Sequence, residues 1–313
     1  MYIVVLAGGL SHERDISERS GRRIAENLKD RGHTVDVFDA DAQLLKKLES
    51  NRPDVVIPLL HGAAGEDGTL RDVLEALDLR YVGSTPDACR VSFDKPVAKS
   101  LMASAGVQVP VGVALPHATF RELGAESVIK AVLNRVGLPC IVKPSRGGSS
   151  LGATVVREAG SLPSALVSAF AYGDVALIEQ FIEGTEVAVS VIESAAGPVA
   201  LAAVEIKPDG GVYDYNARYT AGTTEFFCPA RLSADLEEQV EQTAVTAHLI
   251  LGLRDLSRSD MIVDNNGIVW FLEVNVAPGM TETSLFPQSV QAADSDLGEI
   301  FESLANTAFK RGG

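Results

Sequence analysis

A chain of 313 residues exceeds what one hydrophobic core normally serves, so two or three domains are expected. Apolar residues make up 46%, which excludes a disordered chain. A formal charge of −15 and a pI near 4.8 exclude nucleic-acid backbones and anionic membrane surfaces as main partners.

The opening "MYIVVLAGG" lacks a basic stretch and its apolar run is too short for a secretion signal, so it reads as a first strand. Short apolar runs at Tyr2–Ala7, Val35–Phe38, Val55–Leu59 and Arg80–Val82 read as parallel strands covered on both faces. Helical stretches such as "ISERSGRRIAENLKDRG", closed by Gly32, lie between them. This is a βαβ series, hence an open parallel-sheet α/β domain. The Gly-rich "HGAAGEDGT" follows a strand, where ligands bind in such sheets, and places His61 at that position.

"FDKPVAKSLMASAG" opens a second unit, with Asp94 as N-cap, Pro96 in the first turn and Gly106 at the end. One long helix (about 119–136) and the strand "PCIVKP" are expected next, then a Gly/Ser loop 147–152, "ATVV", a helix near 161–171 and the strand "ALIEQF". The remainder has α+β character. "TEVAVSVIE" and "PVALAAVEI" alternate like antiparallel strands, followed by an irregular segment 209–230, a helix 233–251, a hairpin 258–275 and a last helix near 295–309. The three cysteines (Cys89, Cys140, Cys228) have no metal-ligand spacing and read as free thiols of a reduced cytoplasm. No apolar run approaches the roughly 20 residues that span a membrane.

Two features carry chemistry. In "VKPSRGGSSLG", Lys143 ends an apolar strand and a loop of small residues could present backbone N–H groups and hydroxyls to a phosphate. In "SDMIVDNNGIVWFLEVN", Asn266-Gly267 signals a hairpin. A two-residue loop sets Asp260 opposite Glu273; a four-residue loop sets it opposite Phe271, with Glu273 diagonal on the same face. Either register gathers Asp260, Glu273 and Asn275. A Mg²⁺ ion could offset their repulsion; Arg258, on the same face, or plain solvation could do so instead. The hairpin alone leaves this open.

Taken in order, "GGLSHERDISERSG", "HGAAGEDGT", "FDKPVAK", "IVKPSRGGSSLG", "LIEQFIEGTEVAV", "YDYNARYTAGTTEFFCPA", "RSDMIV" and "EVNVAPGMTETSL" resemble the D-alanine–D-alanine ligases of the ATP-grasp superfamily over nearly the whole chain. The resemblance implies a three-domain ATP-grasp architecture divided at 1–94, 95–182 and 183–313, with ATP between the last two. It implies that Lys95 and Lys143 contact the nucleotide phosphates under the loop that includes Ser150, with Arg218 nearby. Glu179, Phe181 and Ile182 would lie by the adenine and Glu186 by the ribose. Asp260, Glu273 and Asn275 would hold two Mg²⁺ ions, with Mn²⁺ as a substitute. Glu13 and His61 would lie at the first D-alanine site, and Glu13, Ser149 and Tyr219 would form a connection closing the site. Arg258 and the Gly279 backbone N–H would face the oxyanion, and Ser284 and Leu285 would receive the second D-alanine carboxylate. Small-molecule substrates and a homodimer are implied as partners.

Five positions depart from the family pattern: Arg71-Asp72 for a usual Gln-Gly, Gly147 for Glu, Arg218 for Lys and Val276 for Thr. The expected activity is ATP-dependent formation of D-alanyl-D-alanine for peptidoglycan. The alternatives are a paralogue that uses another acceptor (D-lactate, D-serine or a specialised amine) and a nucleotide-binding regulator without turnover.

Overall fold

The computed structural model describes residues 1–213, 217–218, 220 and 222–311. Its first strands are β1 (Tyr2–Leu6), β2 (Thr34–Phe38) and β3 (Val55–Pro58), a parallel sheet in the order β2-β1-β3. The apolar sequence "IVVL" of β1 is buried on both faces, as expected for a central parallel strand. The helix Arg14–Asp30 lies directly on the end of β1. A Cβ on Gly21 would come within 2.4 Å of Ala7 Cβ, so only glycine permits the approach. The expected fourth strand, Arg80–Val82, is reduced to one parallel bridge between Val56 and Tyr81.

A four-stranded antiparallel sheet follows, in the order β4-β7-β5-β6, from β4 (Gly112–Pro116), β5 (Cys140–Pro144), β6 (Thr154–Val156) and β7 (Val175–Gln180). The third sheet is built on the long β8 (Gly184–Ser194). It adds β9 (Gly197–Ala200), β10 (Val204–Pro208), β11 (Thr224–Phe227), β12 (Leu256–Asp264) and β13 (Val269–Asn275). Its order is β11-β10-β8-β12-β13, with β9 also on β8. The expected single strand "PVALAAVEI" is thus two strands. The intervening Leu201 N–H still donates to Ser190 O (2.8 Å), so both halves follow β8.

Two helical expectations also shift. The stretch 119–136 breaks at Gly124, whose φ of +84° no helix can contain, into His117–Leu123 and Ala125–Val136. A helix Leu285–Ala292 occupies "LFPQSVQA", where none was expected. Its Pro287 falls in the first turn, where a missing N–H costs nothing.

That helix and the helix Leu297–Arg311 return to the first sheet. Phe286, Val290, Phe301 and Leu304 share one core with Ile3, Val5, Val55 and Ile57. A second core joins β8, β12 and β13 to the helices Pro86–Phe93, Lys95–Ser104 and Ala234–Ile250; a third lies against the four-stranded sheet. Asp255, fully buried just before β12, accepts from Arg311 (2.6 and 2.7 Å) and from the Gly83 N–H (2.6 Å). One carboxylate thus ties the start of β12 to the N-terminal sheet region and to the last helix.

Candidate active site

The ends of the three sheets converge on a cleft of about 1290 Å³ and an adjoining cavity of about 120 Å³. Glu13, Lys95, Arg218 and Glu273 line both. Ser150, Lys143, Glu179, Phe181, Ile182, Glu186 and Asp260 face the larger; His61, Ser149, Arg258, Asn275, Gly279, Ser284 and Leu285 face the smaller. Every expected site residue except Tyr219 is therefore brought together. Tyr219 lies outside the described residues.

Glu13 is placed by the loop after β1. Gly8 donates to Ser17 Oγ and Gly9 to Asp39 (both 2.8 Å), while Arg14 donates to Gly9 O (2.7 Å). Ser149, in the Gly/Ser loop, donates its hydroxyl to the Glu13 carboxylate. That loop is cross-braced by Lys95 on Gly147 O (2.6 Å), by Arg146 on Asp94 (2.9 Å) and by Ser150 on Tyr213 O (3.1 Å). Ser149 and Ser150 both adopt positive φ (51° and 55°), a strained stretch such as functional loops carry. The "PGM" turn is buttressed by the first long helix: Met280 N–H donates to Ser20 (2.9 Å) and Arg23 to Met280 O (3.1 Å).

The hairpin resolves the register in an unanticipated way. Near the turn Val263 pairs with Val269 and Met261 with Phe271, which would send Glu273 to the wrong face. A bulge between Asp260 and Met261 resets the count, so Asp260 pairs with Glu273 and Arg258 with Asn275. Leu272 and Glu273, consecutive in sequence, consequently both line the large cleft. Arg258 grips Asp260 with two bonds (2.7 and 2.8 Å), and Lys95 approaches Glu273 (3.2 Å). Burial would raise the Glu273 pKa, but the charges of Lys95, Lys143 and Arg218 hold it well below the usual carboxylate range. Among the described residues no three His, Cys, Asp or Glu side chains form a metal cage. Two carboxylates and an amide remain, a donor set suited to a hard cation that takes further ligands from phosphate and water.

Opposite in character is Glu179, 1% exposed, whose Oε1 meets Lys143 (2.6 Å) and whose Oε2 meets Lys99. Burial favours its neutral form, yet the two ammonium groups outweigh that and lower its pKa. Glu186 lacks such support: burial and the charges of Asp260 and Glu273 push it up to about 7, against the pull of Arg218. Burial lowers the His61 pKa, although Glu13 works the other way. Its Nε2 is buried without a protein partner among the described residues.

Three site residues were not singled out from sequence. Lys99 sits one helical turn after Lys95, a spacing present within "DKPVAK". Glu66, inside "HGAAGEDGT", is buried in the smaller cavity and raised by burial and by Glu13 to about 8. Arg157, whose guanidinium lies 5.7 Å from the Phe181 ring centroid, lines the larger cleft and had no sequence signal. Of the departures, Arg71 is 1% exposed and donates to Gly65 O, Arg218 stacks on Tyr213 (4.3 Å to the centroid), and Val276 is buried in the second core, away from both cavities.

Two antiparallel sheets closing on a phosphate-competent cleft, beside an open parallel sheet, are the architecture of an ATP-grasp ligase. Family models agree: residues 39–84 match the D-Ala-D-Ala ligase N-terminus and residues 101–306 its C-terminus. A D-alanine–D-alanine ligase of Fervidobacterium nodosum is 35% identical over 320 residues, covering 99% of this chain and all of its own. A crystal structure of the D-alanine–D-alanine ligase of Bacillus anthracis superposes with a TM-score of 0.84 at 29% identity, covering 99% and 98% of the two chains. A D-alanine–D-alanine ligase of Bacillus anthracis complexed with ATP gives 0.82 at 25%, with the same coverage. The VanG D-Ala:D-Ser ligase of Enterococcus faecalis gives 0.83 at 26%, covering 98% and 99%. The chain belongs to the D-alanine–D-alanine ligase family.

Proposed function

We propose that the chain uses ATP to join two D-alanines into D-alanyl-D-alanine, a cytoplasmic step that supplies peptidoglycan precursors. The observation that carries this reading is the junction of the cavities. A large cleft with lysines and carboxylates on its walls opens onto a small polar cavity holding Glu13, His61 and Arg258. Nucleotide and amino acid would meet there.

In the proposed sequence the first D-alanine carboxylate attacks the γ-phosphorus of ATP, giving D-alanyl phosphate and ADP. The amine of the second D-alanine then attacks the acyl carbon, phosphate leaves and the amine loses a proton. Phosphoryl transfer depends on positioning and charge neutralisation, a task for Lys95 and Lys143. Asp260, Glu273 and Asn275 would hold the two Mg²⁺ ions, for which Mn²⁺ could substitute; when bound, these neutralise phosphate charge. Arg258 and the Gly279 N–H would stabilise the oxyanion of the tetrahedral intermediate. Ser284 and Leu285 would receive the second carboxylate. Ser149, tied to Glu13, would close the Gly/Ser loop and keep water from the acyl phosphate. We keep the division at 94/95 and 182/183, and a homodimer, as parts of the proposal.

The test is ATP-dependent phosphate release with Mg²⁺, first with D-alanine alone and then with D-serine, D-lactate or L-alanine added. D-alanine alone should suffice, with the dipeptide as product. No D-alanine-dependent release would sink the reading. Faster turnover with D-serine as acceptor would favour the second reading, which the VanG resemblance motivates.

A further inference from the structure

Lys99 has no place in the chemistry described so far. It is 5% exposed, lies on the helix Lys95–Ser104 and is absent from the described lining of the large cleft, whereas Glu179 and Lys143 belong to that lining. Its ammonium pairs with one oxygen of Glu179 while Lys143 holds the other at 2.6 Å. A buried carboxylate held by a buried cation as well as by one at the cleft wall is unusual, because the buried Lys99 adds a desolvation cost that no second carboxylate in contact offsets. Burial accordingly pulls the Lys99 pKa down to about 8 despite the attraction of Glu179.

The arrangement makes sense if Lys143 must leave. A single desolvated Lys143–Glu179 pair would be strongly attractive, and a phosphate would have to compete with it. Lys99 shares the charge of the carboxylate from behind, which weakens that hold. It also anchors Oε2, leaving Oε1 as the oxygen turned to the cleft once Lys143 moves. A fixed, ionised acceptor there suits a ligand donor such as the exocyclic amine of a 6-aminopurine and disfavours a 6-oxopurine, which presents an acceptor.

We propose that Lys99 is a positioning residue for nucleotide binding, fixing Glu179 as an acceptor for the base and releasing Lys143 to the phosphates. The inference rests on the nucleotide reading of the large cleft and deepens it.

The test compares the wild type with Lys99→Met and Lys99→Arg, using steady-state kinetics with ATP and with ITP and calorimetric titration of both nucleotides. Lys99→Met should raise KM for ATP about 10-fold with a smaller change in kcat, and narrow the preference for ATP over ITP. Lys99→Arg should restore much of both. Unaltered KM and unaltered preference in Lys99→Met, even with a lowered melting temperature, would reduce Lys99 to a structural cation and overturn the inference. Should Lys99→Met fail to fold, a Glu179→Gln background decides. There, adding Lys99→Met should leave KM for ATP where Glu179→Gln set it, and a further rise would overturn the inference. Absence of ATP binding by the wild type would sink the cleft reading itself, a result distinct from equal binding by wild type and variant.

Discussion

Glu179 and Glu186 project into the same cleft from adjacent stretches of chain, and burial acts on both in the same direction. Yet Glu179 is held below the ordinary carboxylate range while Glu186 rises to about 7. The difference lies in the neighbours. Glu179 sits between Lys99 and Lys143 in a cluster with surplus positive charge. Glu186 belongs to the acidic cluster of Asp260 and Glu273, where Arg258, Lys95 and Arg218 offset only part of the repulsion. On the proposed function, a polyanionic nucleotide would use both surroundings: the first would attract it directly, the second through a divalent cation. The protein as a whole is strongly acidic, so the cationic cluster is a local concentration of scarce charge.

The comparison breaks most visibly if the acidic cluster can be weakened without consequence. Glu273→Ala should lower D-alanine-dependent phosphate release by about 10³-fold or more, because a cation held by the proposed Asp260, Glu273 and Asn275 set would lose a ligand. Circular dichroism should remain native. Lys95, the partner left behind, keeps its bond to Gly147 O (2.6 Å) and is not stranded. A variant with near-normal turnover would contradict the metal assignment and leave the cluster as a neutralised surface.

Much of this was legible in the sequence for identifiable reasons. Strand alternation placed Glu273 and Asn275 on one face, and the Asp94 cap, whose carboxylate accepts from Val97 N–H (3.3 Å), marked the helix carrying Lys95. What was hidden is the bulge at Leu272. Neither register counted from the turn reproduces the pairing of Met261 to Val263, but the two-residue loop does set Asp260 opposite Glu273, because the bulge restores that count. The partnership of Lys99 with Glu179, 80 residues apart, was equally hidden, because no local pattern encodes a contact between a helix and a strand of another sheet. Gly124 was visible but was read through, and its positive φ broke the helix.

Glu66 sharpens the comparison as a third buried carboxylate, one whose largest influences after burial are Glu13 and the Gly62 N–H, which donates to Oε1 (2.8 Å). Its pKa is raised from 4.5 to about 8, so the folded state keeps a proton that the unfolded chain releases. The stabilising contribution is therefore full below pH 4.5 and is lost as pH rises through 8. Glu66→Gln retains the acceptor but cannot titrate. Its melting temperature should fall less steeply than that of the wild type between pH 4.5 and 7, a differential on the order of 3 kcal/mol. Parallel pH profiles would show that Glu66 ionises freely in the folded protein. It would then join Glu179 rather than Glu186.

The smallest effect concerns what arranges the acidic cluster. Gly267 has φ +78°, but a Cβ there would lie 3.7 Å from Leu236 Cδ2, an ordinary contact. G267A should therefore cost only the left-handed backbone strain, about 1 kcal/mol, or roughly 2 °C in Tm. Asp264 would still hold the turn, accepting from Asn266 N–H (2.8 Å), Ile268 N–H (2.9 Å) and Trp270 Nε1 (3.0 Å). If burial of Phe271 and Val274 sets the bulge, Asp260 stays opposite Glu273 and turnover is unchanged. A drop in turnover beyond about 3-fold would instead mean that the tip of the hairpin dictates the register, and that the acidic cluster, unlike the lysine cluster on its separate elements, depends on a single turn.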